Sequence, residues 1–93
     1  MRKIRHVHLV EFVAKDGLRF EYDERGWRLT NIRHLGESER IRGLEMIERV
    51  EACAATAVVE PWDPNPLLTV AEHVSNTLVI RITHRRAKNR EIA

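Results

Sequence analysis

His6 and His8, two residues apart, form the one spacing in this chain that resembles metal chemistry. On a strand, residues i and i+2 project from the same face, so two imidazoles there could share an ion. A third ligand would have to come from His34, His73, His84 or a carboxylate, and no spacing supplies it. No metal and no cofactor is expected. Cys53 is the single cysteine, which rules out an internal disulfide framework and a cysteine-based zinc cage. It falls on the apolar side of a helical pattern, where cysteine acts as a small hydrophobe rather than as a nucleophile. The sequence contains no GxSxG, P-loop, GxGxxG or HExxH motif. Glu45, Glu48 and Glu51 share a helix face with Arg42 and Arg49, at spacings that make ion pairs rather than an acid–base dyad. An enzyme is not expected.

The chemistry that remains is recognition. The last thirteen residues hold Arg81, Arg85, Arg86, Lys88 and Arg90 against Glu91 alone, a net of +4, so the first eighty sum to −2 of the whole chain's +2. Such a segment can present cations to phosphate, to a membrane surface or to an acidic protein, and it can also serve only solubility. Arginine outnumbers lysine thirteen to three. Its planar fork suits phosphate and carboxylate, although a genome rich in G and C produces the same bias. Aromatic residues are only 5% and no stacking signature is present, which weighs against single-strand nucleic-acid recognition.

Trp62 lies between Pro61 and Asp63-Pro64. A tryptophan in a stiff loop can anchor a partner at low entropic cost, so Trp62 and Asp63 are the candidate partner-binding residues. Trp27 instead follows a turn glycine and heads an alternation with Leu29, as a sheet-face residue does.

These residues must be carried by an α+β domain. Ile4 to Val13 reads as a strand with apolar groups on both faces. Lys15-Asp16-Gly17 is a turn, Leu18, Phe20 and Tyr22 alternate with charged residues, and Asp23-Glu24-Arg25-Gly26 is a second hairpin turn. Trp27 and Leu29 begin a third strand, completing a meander. The period then changes. With Ser38 as N-cap, Ile41, Leu44, Ile47, Val50 and Ala54 form the buried stripe of a helix of about four turns. Thr56 to Glu60 reads as a short buried strand, and Pro61 to Pro66 as an extended loop. Leu67 to Asn76 fits either a hairpin strand or a helix, the latter favoured by Asn65 as N-cap and Pro66 at the first position. Thr77 to Thr83 reads as the last strand.

The expected order is β-β-β-α-β-(α)-β: an antiparallel sheet of about five strands packed against one long amphipathic helix. The domain is expected over residues 1–84, with 85–93 as a flexible basic tail. No run approaches the roughly 18 apolar residues of a membrane span. His6, His8 and Glu11 break the N-terminal apolar stretch, so no signal peptide and a cytoplasmic location are expected. A core of this size leaves a narrow stability margin, which makes a homodimer a natural expectation. The function expected is a small non-catalytic, protein-binding accessory or regulatory module. The alternative is a nucleic-acid-binding protein that uses Arg81, Arg85, Arg86, Lys88 and Arg90.

Overall fold

Strands β1 (Arg2–Val13), β2 (Arg19–Asp23) and β3 (Gly26–Leu29) form the expected meander. The computed structural model describes the backbone of residues 2–92 and the side chains of residues 6–87. Local chemistry sets both hairpins. In the first, Asp16 Oδ1 accepts the Leu18 N–H at 3.2 Å and Gly17 takes a φ of 88°. In the second, Asp23 pairs with Gly26 across two residues, Asp23 Oδ1 accepts the Arg25 N–H at 2.8 Å, and Gly26 takes a φ of 113°. Both glycines sit where a side chain would be strained.

Helix α1 runs over Glu37–Ala54, with Gly36 rather than Ser38 as its N-cap. Glu39 Oε1 reaches back to accept the Gly36 N–H at 3.2 Å, satisfying a donor at the helix start. Its buried face is turned by about one residue from the expected stripe. Gly43, Val50 and Cys53 are buried, with Met46, Ile47 and Ala54 half-buried, whereas Ile41 and Leu44 are 51% and 52% exposed. Gly43 explains the turn. A Cβ placed there would stand 2.6 Å from Leu29 Cδ1, so the helix rests on β3 at the one position without a side chain.

Thr56 to Glu60 is not a strand. Thr56 Oγ1 donates to the Cys53 carbonyl at 2.7 Å and lies 2.8 Å from His73 Nε2, so the chain turns off α1 and is tied to the next helix. Residues 67–76 are helical, as their capping signals suggested. Helix α2 spans Pro66–Leu78, with Asn65 at the N-cap position and Pro66 in the first turn. It runs two residues past Asn76, and Val79 closes it in the left-handed region at φ 55° and ψ 49°. The Ser75 carbonyl accepts the N–H groups of both Val79 and Ile80 there. A β-branched residue in that region is strained.

The last strand, β4 (Arg81–Ile92), therefore starts later and runs much further than expected. Residues 85–92, read from sequence as part of a tail, make up two-thirds of it and pair with β1. The sheet is antiparallel throughout, four strands rather than five, in the order β3-β2-β1-β4, and two helices cover it rather than one. Val10, Phe12 and Phe20 point from the sheet into a core closed by Val50 and Cys53 of α1 and by Ala71 and Val74 of α2. The other face carries Glu11, Arg19, Glu21 and Arg28, as the alternation of the strands requires.

Candidate interaction surfaces

The loop between the helices is held from within. The Asp63 N–H donates to the Glu60 carbonyl at 3.0 Å, and the Asp63 carboxylate accepts the Asn65 N–H at 2.8 Å and the Thr69 hydroxyl. Asn65 Oδ1 in turn accepts the Val7 N–H at 3.0 Å, fastening the loop to β1. Asp63 is half-buried and its carboxylate is taken up by the start of α2. Trp62, its neighbour, is 77% exposed. Val58 is 78% exposed and Val59 also lies at the surface, so the loop presents three large apolar side chains. Sequence reading missed both valines because a Val-Val pair among small residues looks like a buried strand. Pro61 immediately after them, unable to donate to a ladder, was the available warning.

The cations of β4 follow one another along the strand. Arg81 and Arg85 border a shallow hollow of about 170 Å³ beside Glu72, Ser75 and Asn76 of α2. Arg86 Nη2 lies 3.5 Å from Glu11 Oε1, and His84 Nδ1 lies 3.2 Å from Glu11 Oε2. Of Lys88 and Arg90 the backbone positions alone are described, opposite His6 and Ile4. Pairing adds what the sequence reading had left aside. Arg2, Lys3 and Arg5 of β1 fall beside the same half of β4, opposite Ile92, Glu91 and Asn89. A contact between chain ends is invisible to local patterns.

His6 is half-buried and His8 exposed. A register shift between Val7 and Leu9 places His8 at an irregularity of the ladder, where the simple same-face rule fails. Among the described residues no third histidine, cysteine or carboxylate joins them in a group able to hold a metal ion. Cys53 is buried in the core cluster.

The open face of the sheet is a surface of paired charges. Arg28 bridges Glu21 at 2.7 Å and Asp23 at 2.8 Å. The Arg28 hydrogen bonds hold the Asp23 carboxyl down to about 2. The same contacts, Asp23 foremost, raise the Arg28 guanidinium. Burial, aided by the charge of Asp23, pushes the Tyr22 phenol up. On the core side of the sheet Tyr22 stacks on Trp27 with ring centroids 4.2 Å apart, and Trp27 also meets Phe12 at 5.1 Å, so Trp27 is a sheet-face residue packed against the core. A hollow of about 440 Å³ on the open face is bordered by Glu11, Arg19, Glu21, Thr30 and His84. Its carboxylates lie beside cations: Glu11 meets Arg86 and His84, and Glu21 meets Arg28.

Among the described residues no helix is long and apolar enough to cross a membrane. No known protein family, curated protein or solved structure matches the chain.

Proposed function

We propose that this protein is a small, non-catalytic accessory or regulatory module that grips a protein partner through its Trp62 loop. The observation that carries the reading is the 77% exposure of a tryptophan on a loop whose backbone is already fixed. Three prolines and the Asp63 and Asn65 bonds leave little backbone entropy to lose on binding. Exposed Val58 and Val59 extend the apolar contact, and Glu60 gives it an acidic border. The partner that fits is a protein with a hydrophobic pocket for an indole and cations at its rim. Proximity capture from the host would nominate it, and titration of the purified pair would test it. Trp62→Ala should weaken that complex by about 30-fold or more with unchanged folding stability, the effect of losing a hot-spot anchor. An affinity unmoved by Trp62→Ala would remove the loop from the interface.

Self-association belongs to the same reading. Ile41 and Leu44 project from the outer side of α1 at about half exposure, an apolar pair that a two-fold partner would cover. Leu44→Asp should convert a dimer to a monomer in sedimentation equilibrium. A wild-type mass near 10.9 kDa at micromolar concentration would exclude the dimer.

A further inference from the structure

The outer half of the β1–β4 ladder is a two-stranded arm. β2 pairs with β1 only over Leu9–Val13, whereas β4 accompanies β1 out to Arg2. Among the described residues, the outermost hydrogen bond from the arm's base to the rest of the fold is Val7–Asn65. Beyond it lie five cross-strand pairs, His6 with Lys88 out to Arg2 with Ile92, or about 16 Å of ribbon at the usual rise per residue. The arm carries Arg2, Lys3 and Arg5 on one strand and Lys88 and Arg90 on the other, against Glu91 as its one acid. Arg85 and Arg86 stand at its base, Arg86 3.5 Å from Glu11 Oε1. This contrasts with the open face, where Arg28 meets two carboxylates and Arg86 one.

An isolated two-stranded ribbon is at best marginal in water, and repulsion among its cations makes it more so. The register sets one acid, Glu91 opposite Lys3, within the arm. A polyanion along both strands would supply the missing countercharge. The blade is two strands wide, and the major groove of B-form DNA, about 12 Å across, admits such a ribbon between two phosphate walls. The deep, narrow major groove of duplex RNA does not. Five of the seven cations are arginine, the side chain best matched to phosphate oxygens and to guanine edges.

We infer that the basic arm formed by residues 2–6 and 88–92 is a binding site for double-stranded DNA, entering its major groove as a β-ribbon. The site is independent of the Trp62 loop, and each can fail without the other. Fluorescence anisotropy of the full chain with a labelled 20-base-pair duplex tests it. Affinity should fall about 10²- to 10³-fold between 50 and 200 mM salt, as expected for about five phosphate contacts. Arg2→Gln/Lys3→Gln/Arg5→Gln should weaken binding at least 10-fold and flatten the salt slope, and so should Lys88→Gln/Arg90→Gln on the other strand. Arg40→Gln/Arg42→Gln, which removes as many cations from α1 as the second variant does from the arm, should leave affinity within about twofold. Circular dichroism checks that each variant is folded. Absence of binding at 50 mM salt would overturn the proposal, as would an α1 variant as impaired as the arm variants. Equal or tighter binding to single strands, to duplex RNA or to anionic vesicles would also overturn it.

Discussion

The inner and outer halves of the β1–β4 ladder belong to the same two strands and differ in what surrounds them. Between Leu9 and Val13, β1 is an interior strand with β2 on one side and β4 on the other. It delivers Val10 and Phe12, 0% and 1% exposed, to the core beneath the helices. From Arg2 to His6 it has β4 alone, and the sequence is dominated by cations. Ladder hydrogen bonds exchange for bonds to water at small net gain, whereas burial of an aromatic side chain contributes several kcal/mol. Stability is therefore concentrated in the inner half, and the outer half is free to be specified by charge. A register shift falls between Val7 and Leu9, where the sheet narrows from four strands to two, and such irregularities redirect a strand.

The largest expected effect tests this division directly. Phe12→Ala should cost about 3–5 kcal/mol in urea denaturation, a large share of what a chain of this size has. Deleting residues 88–93, which removes the outer part of β4 from Lys88 on, should cost less than about 1 kcal/mol by the same measurement, because it takes away a marginal ladder and relieves repulsion. Equal losses would mean that the arm bears on the core and that the comparison is mistaken.

How the sequence discloses these parts follows from the range of the forces that make them. The meander was legible because Asp16-Gly17 and Asp23 to Gly26 fix their turns locally and because Leu18, Phe20 and Tyr22 alternate. Both helices were legible by period and caps, with the second held against a strand alternative by Asn65 and Pro66. The face of α1 was misjudged by about one residue because hydrophobic spacing ignores glycine. Gly43, the position of closest approach, carries no hydrophobic signal. Thr56 to Glu60 has strand-forming residues but no strand to pair with, and the Thr56 hydroxyl closes a turn instead. The long β4 was hidden because His84 to Arg90 lacks apolar alternation. Its pairing with residues some 70 to 90 positions away leaves no local trace. For the same reason the Trp62 loop could be found from one segment, while the basic arm needed two.

The smallest effect lies at the boundary between the two halves. Asp23 stands opposite Leu9 in the last β1–β2 pair, and its carboxylate receives Arg28 at 3.0 and 2.8 Å. Those bonds, more than the Arg25 N–H or the nearby charges, hold its folded-state pKa to about 2, below the ordinary 3.8. A depressed pKa means that the ion pair stabilises the fold above about pH 4. The contribution is lost as pH falls from about 4 through about 2. Arg28 is 41% exposed, so solvent screening reduces the effect to about 1 kcal/mol. Asp23→Asn should lower stability by that amount near neutral pH, and its difference from the wild type should close as the pH approaches 2. Thermal denaturation of both proteins across that range measures the gap. Amide exchange locates it: protection should drop first in the β2–β3 hairpin, around Tyr22 and Trp27, and not at Val10 or Phe12. A pH dependence identical in the two proteins would show that the Arg28 pair contributes nothing where the sheet narrows. Early exchange at Phe12 would show that the hairpin and the core open together.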